Sequence, residues 1–257
     1  MQNLFDLTGK VALITGASSG LGVQFAKALA GQGADIAICA RRVDRLEAVK
    51  KEIEALGVKC FAIRCDVTDT ESVKAMVAAV ENEYGKIDIL INNAGVGSGT
   101  AATEMSDEDW NKVISTNLTA VYTVAREVGK VMIKNKYGKI VNLGSVHSEV
   151  VMNNTMWPVN AYAAAKGGVK MLTKALAVEW AKMGVTVNAI GPAYFGSEMT
   201  ADITTNAAYQ GIADMYCPMG RFGREGELNG AVIYFASDAS SYTTGQILLI
   251  DGGWSAI

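Results

Sequence analysis

The stretch Thr15-Gly16-Ala17-Ser18-Ser19-Gly20-Leu21-Gly22 follows directly on the apolar run Lys10-Val11-Ala12-Leu13-Ile14 and opens a helical pattern from Leu21 to about Ala30. A short run without polar alternation is what a strand buried on both faces of a parallel sheet requires. The three glycines, Gly16, Gly20 and Gly22, permit a tight turn, let backbone approach a pyrophosphate, and let the helix pack close to its strand. The start of that helix adds free N–H groups and the positive end of the helix dipole, which suit an anion held beside Ser18, Ser19 and Leu21. Strand, glycine turn and helix in this order predict a phosphate-binding turn.

Outward from that unit the pattern repeats. Further buried-strand runs lie at Asp35 to Ala40, Lys59 to Cys65, Ile87 to Asn92, Lys139 to Gly144, Val185 to Ile190 and Gln246 to Ile250. Helical periodicity fills the intervals Arg45 to Leu56, Glu71 to Tyr84, Asp107 to Met132 and Ala161 to Met183. Such alternation predicts an α/β fold, a single doubly wound Rossmann domain over residues 1–257, with about seven parallel strands and helices on both faces. No composition shift, linker or internal repeat marks a second domain.

Composition removes other classes. Half of the 257 residues are hydrophobic and 19% are charged, so the chain is not of the disordered kind. A net charge of −3 gives no positive field to draw nucleic acid. No apolar run approaches the ~18–20 residues of a membrane span, and Met1 to Asp6 lacks the order of a secretory leader, so the expected location is the cytoplasm. The four cysteines (Cys39, Cys60, Cys65, Cys217) form no Cys-x-x-Cys pair, and one histidine, His147, cannot supply a typical zinc set. No metal is expected, and the cysteines are expected to be buried free thiols. The expected partner is a small molecule.

The glycine turn, Asn92-Asn93-Ala94-Gly95, Tyr162-x-x-x-Lys166 and the closing Asp251-Gly252-Gly253 occur in order along nearly the whole chain. In these motifs the sequence resembles the classical short-chain dehydrogenase/reductase family. That resemblance implies a nicotinamide cofactor, a carbonyl or alcohol substrate, and a homotetramer or homodimer. It also implies that Asp66 and Val67 contact the adenine, that Asn93, Ala94 and Gly95 line the cofactor, and that Pro192, Phe195 and Ser197 lie at the nicotinamide. The second strand ends at Ala40 with Arg41 and Arg42 after it, where an acidic residue would favour NAD. Arginine offers a donor fork suited to a phosphate, so NADP(H) is the expected cofactor.

Tyr162 and Lys166, four apart, share one helix face. A hydride delivered to a ketone leaves an alkoxide that must take a proton, and a neighbouring ammonium is expected to lower the pKa of a tyrosine toward that task. By resemblance Ser145 holds the substrate oxygen, Asn117 kinks its helix and serves a proton relay to Lys166, and Tyr162 and Lys166 also touch the cofactor. Ser148 and Glu149 are the alternative serine and acid, with Ser145 preferred for its place at the strand end.

Two departures from the family pattern stand near the substrate. Ala193 replaces a glycine after Pro192, and Ser145 and Tyr162 lie seventeen positions apart, about one helical turn more than is usual in the family. The enlarged interval, with His147, Met152 and Trp157, is expected to form a substrate wall opposite Tyr194 and a lid over about 193–216. Local strings such as Ser145-Val146-His147-Ser148-Glu149 resemble the gluconate 5-dehydrogenase branch, which implies a 5-keto sugar acid as substrate. Its members often carry basic side chains after the Asn-Ala-Gly turn, and Val96 to Thr100 offers none. The alternatives are a hydroxysteroid dehydrogenase acting on a bulky apolar ketone, a 3-oxoacyl carrier-protein reductase, and a non-catalytic NADP(H)-sensing binding protein.

Overall fold

Seven parallel strands form one sheet: β1 Val11–Thr15, β2 Asp35–Ala40, β3 Cys60–Arg64, β4 Ile89–Asn92, β5 Gly138–Leu143, β6 Val185–Pro192 and β7 Ile247–Ile250. They lie in the order β3-β2-β1-β4-β5-β6-β7. A computed structural model describes residues 3–151, 158–198, 200 and 210–257. The helices are α1 Gly20–Ala30, α2 Val43–Glu54, α3 Thr70–Tyr84, α4 Asp107–Ile114, α5 Ala120–Asn135, α6 Asn160–Trp180, α7 Gln210–Tyr216 and α8 Asn229–Ala236.

Alternate residues of β1 belong to opposite cores, which is why its apolar run is unbroken. Ala12 and Ile14 pack with Phe25 of α1, Leu46 of α2 and Phe235 of α8. Val11 and Leu13 pack with Met76 of α3, Val128 of α5 and Leu176 of α6. The chain reverses its direction of progress across the sheet where β1 lies between β2 and β4. In open α/β sheets the crevice at such a reversal, beyond the carboxyl ends of the strands, is where ligands bind.

The helix expected from Asp107 to Met132 is broken in two. Between α4 and α5, Ser115–Thr119 forms a π-turn. Its fully buried Asn117 uses both side-chain polar atoms on the backbone of Val96, accepting from the N–H and donating to the carbonyl at 2.8 Å each. That docking accompanies the local widening of the helix, which 3.6-residue periodicity does not register. Helices α7 and α8 carry no clear apolar stripe, and the sequence does not predict them.

All four cysteines are buried free thiols. Among the described residues no helix is long and apolar enough to cross a membrane, and no group of three or more His, Cys, Asp or Glu is placed to hold a metal ion.

Asp88 anchors the start of the central strands. Its Oδ2 accepts from the Val11 N–H at 2.8 Å and pairs with Lys86 Nζ at 2.9 Å. Asp88→Ala leaves that buried N–H without its carboxylate, at a cost of about 1–3 kcal/mol. The expected result is a lower urea midpoint with an unchanged slope, and recovery of more than half the loss in Asp88→Asn, which retains an acceptor oxygen. An unchanged midpoint for Asp88→Ala refutes the anchor.

Candidate active site

The glycine turn is pressed against the end of β4. Thr15 Oγ1 accepts from the N–H groups of Asn93 and Ala94 at 3.0 and 3.1 Å, and Asn93 Nδ2 donates to the Thr15 carbonyl at 2.9 Å. Gly16 has φ +67°, and a Cβ there would lie 2.8 Å from Ala94 Cα. A Cβ on Gly22 would lie 2.5 Å from the Gly16 carbonyl oxygen. Side chains at these two positions would collide with the backbone packed against the turn. The turn therefore presents bare backbone and a helix N-terminus to whatever lies above it.

Above it runs a cleft of about 930 Å³. Gly16, Ser18, Ser19, Gly20, Leu21, Arg41, Arg42, Asp66, Val67, Asn93, Ala94, Gly95, Tyr162, Lys166, Pro192, Phe195 and Ser197 all line it. Gly22, alone of the expected cofactor-binding residues, does not, because it serves the packing beneath the turn. Asp66 is fixed by Thr68, whose N–H and hydroxyl donate to Oδ1 at 3.0 and 2.7 Å. Those bonds, with Arg41 and Arg64 close by, hold its carboxyl below the ordinary range despite some burial. No acid stands at the end of β2, and Arg41 and Arg42 face the cleft there. Bare turn, helix N-terminus and two guanidinium groups fit a phosphorylated dinucleotide.

At the other end α6 brings Tyr162 and Lys166 onto one face. Lys166 Nζ lies 5.6 Å from the centre of the Tyr162 ring and donates to the Leu143 carbonyl at 2.6 Å. Burial pulls the Lys166 ammonium down to about 8. The Tyr162 phenol is pushed up by burial, with its hydrogen bond to Ser145 opposing that rise. In the chain by itself desolvation outweighs that hydrogen bond, so the lowering expected beside Lys166 is not seen there.

A second cavity of about 320 Å³ adjoins the cleft, and Ser145 and Tyr162 line both. His147 and Tyr194 line this recess. The imidazole Nδ1 lies 3.0 Å from the Val150 carbonyl, so it carries the proton, and Nε2 accepts from the Tyr194 hydroxyl at 3.4 Å. Burial lowers the histidine pKa, which keeps the ring neutral. Met152 and Trp157, expected in the same wall, lie outside the described residues, as does much of the expected lid. Ser148 and Glu149 stand apart from the recess: Ser148 Oγ accepts from the Ser145 N–H at 3.2 Å, and Glu149 pairs with Lys170 at 2.5 Å. Asn117 lines neither cavity, its side chain being held on Val96.

Several lining residues escaped the sequence reading. Ser98 and Gly99 face the recess, and Glu198 and Lys112 face the cleft. Glu198 had a usable signal in its place beside Ser197. Trp254, near the end of the chain, stacks on Tyr216 of α7 at 5.6 Å and lies 5.3 Å from Tyr194. It backs the recess from a distant part of the sequence, with no local signal.

Known proteins resemble the chain in sequence and fold. A family model described as Enoyl-(Acyl carrier protein) reductase matches residues 16–255. Gluconate 5-dehydrogenase of Gluconobacter oxydans (strain 621H) is 41% identical over 251 residues, 98% of this chain and 96% of the relative. The 5-keto-D-gluconate 5-reductase of Escherichia coli (strain K12) is 37% identical over 253 residues, 98% of each chain. Among solved structures, a gluconate 5-dehydrogenase from Burkholderia cenocepacia J2315, in complex with NADP and tartrate, superposes with a TM-score of 0.94 at 35% identity, covering 99% of this chain and 98% of that one. Matched in sequence and in fold along nearly its whole length, the chain belongs to the short-chain dehydrogenase/reductase family.

Proposed function

We propose that this enzyme uses NADP(H) to interconvert a ketone and a secondary alcohol, with a polyhydroxylated ketone of the 5-ketogluconate type as substrate. The observation that carries the reaction is the junction of cleft and recess at Ser145 and Tyr162, where a substrate carbonyl would meet the cofactor. Bound NADPH supplies hydride, and the chain supplies the proton and its control. Ser145 orients the substrate oxygen, a preorganised polar contact. Tyr162, kept protonated near neutrality by burial, donates its phenolic proton to that oxygen. Lys166, still an ammonium below about 8, stabilises the phenolate so formed. Asn117 holds Val96 beside the cleft and shapes the helix behind the reacting groups.

The relatives' names and the neutral polar tips of His147 and Tyr194 support the sugar-like substrate. A second reading, an uncharged and bulkier ketone such as a ketosteroid, has its own support. No lysine or arginine occurs in 96–100, 145–160 or 193–216, the segments expected around the substrate, so a substrate carboxylate would meet no permanent cation there. We place the enzyme in the cytoplasm as a homotetramer or homodimer of single-domain chains, with cofactor-binding and catalytic halves. Met171 and Val178, exposed on one face of α6, support the assembly.

The reaction is tested by Tyr162→Phe, which should keep less than a tenth of wild-type hydride transfer while NADPH binding, followed by fluorescence, changes little. Comparing 5-keto-D-gluconate with a ketosteroid panel for NADPH consumption tests the substrate: faster turnover of the steroids replaces the sugar-acid reading.

Lys166 also sets a pH dependence. Its charge is present below about 8 and lost above it, so reductive kcat/KM should fall as pH rises through that value. A flat profile from pH 6 to 10 contradicts the role given to the lysine.

Arg41→Ala should raise the KM for NADPH about ten- to a hundredfold, the scale of one charge-assisted phosphate contact, and leave NADH nearly unaffected. Equal loss with both cofactors assigns Arg41 to the adenine or the fold.

A further inference from the structure

Glu198 lies just after Ser197, at the edge of the cofactor cleft. Its Oε2 accepts from Arg42 Nη2 at 2.9 Å and from Ser19 Oγ at 2.9 Å, while Oε1 accepts from Arg45 Nη1. The same Arg42 nitrogen donates to Ser18 Oγ at 3.1 Å and Ser19 Oγ at 2.9 Å. One carboxylate therefore ties the segment after β6 to the glycine turn and to the start of α2. Gly20 is part of the same contact, since a Cβ there would lie 3.3 Å from Ser197 Cβ.

An oxyanion cradled by two guanidinium groups and a serine hydroxyl has the partners that a phosphate monoester would choose. We propose that Glu198 is a specificity-determining residue for the cofactor, an internal carboxylate that competes with the 2′-phosphate of NADP(H) for Arg42 and Arg45. The inference rests on the NADP(H) reading above. The side chains of Arg42, Arg45 and Glu198 remain 43%, 46% and 51% exposed, so the ion pairs stand in water, where exchange for a stronger anion is open. The two arginines and Ser19 hold the Glu198 carboxyl down to about 2, and the competitor is charged throughout the working range. A phosphate entering this cradle either displaces Glu198 from its arginines or shares them against its charge. Both routes weaken the hold on the 2′-phosphate and leave a cofactor lacking that phosphate untouched.

The test is a binding titration of wild type and Glu198→Gln with NADPH, NADH, adenosine 2′,5′-bisphosphate and AMP. The amide side chain retains the shape and loses the charge. NADPH and the bisphosphate should both bind roughly three- to tenfold tighter to Glu198→Gln, the scale expected when exposed ion pairs stop competing. NADH and AMP should stay within twofold. The bisphosphate has no nicotinamide, so its gain isolates the phosphate cradle from changes at the reacting end. Unchanged or weaker binding of NADPH and the bisphosphate overturns the competition, and weaker binding of all four ligands identifies Glu198 as a closing strap instead. If wild type itself holds NADPH no tighter than NADH, the cofactor reading fails independently of Glu198.

Discussion

Two strands that are distant in sequence meet where Thr15 and Asn93 exchange hydrogen bonds, and the rest of the molecule depends on that contact. Thr15 ends β1 and Asn93 follows β4, which are neighbours in the sheet at the point where the chain changes direction. The hydroxyl of Thr15 satisfies two backbone donors of the Asn-Ala-Gly turn, and the Asn93 amide returns a bond to the Thr15 carbonyl. Only glycine at position 16 allows the approach, because any Cβ would meet the Ala94 backbone. The floor of the cleft is thus a single bonded surface, although its parts come from opposite halves of the sheet.

The reacting groups are held to that floor by a buried polar ladder. Asn92 and Asn142 face each other in register on β4 and β5, and the Asn92 amide donates both to Asn142 Oδ1 at 3.3 Å and to the Val121 carbonyl at 2.9 Å. Asn142 in turn donates to Thr173 Oγ1 at 3.0 Å, and Thr173 donates to the Val169 carbonyl within α6. Polar side chains in the middle of a parallel sheet are costly unless satisfied. Here they join the sheet centre to the helix that carries Tyr162 and Lys166. The height of those two side chains above the cleft is set by hydrogen bonds as well as by apolar packing.

Charge is distributed unevenly between the two cavities. Arg41, Arg42, Lys112 and Lys166 line the cleft, whereas no lysine or arginine lines the recess among the described residues. Burial then adjusts what remains: it lowers Lys166 and His147 and raises Tyr162, moving each toward its neutral form. A cleft edged by cations and a recess without them follow from one arrangement of strands and turns.

The architecture and most of the cleft were legible in the order of residues alone. Unbroken apolar runs at regular intervals require strands buried on both faces, and Gly16, Gly20 and Gly22 at a strand-to-helix turn require a close backbone approach. Those local constraints were enough to find β1 to β7 and the glycine turn, while the family and most of the residues expected at the cofactor followed from resemblance in the motifs; all of those expected residues but Gly22 line the cleft. Folding decided what depends on distant partners. Periodicity could not show the π-turn at Asn117, because its partner is the backbone of Val96. The pairing of Tyr162 with Lys166 was legible in their spacing, yet the direction of the phenol's shift was not, since desolvation depends on everything packed around it. The place of Glu198 beside Ser197 was legible, but its pairing with Arg42 and the contact of Trp254 with Tyr194 arose only on folding, because ion pairs and ring contacts form across space and leave no mark on the spacing of neighbours in the chain.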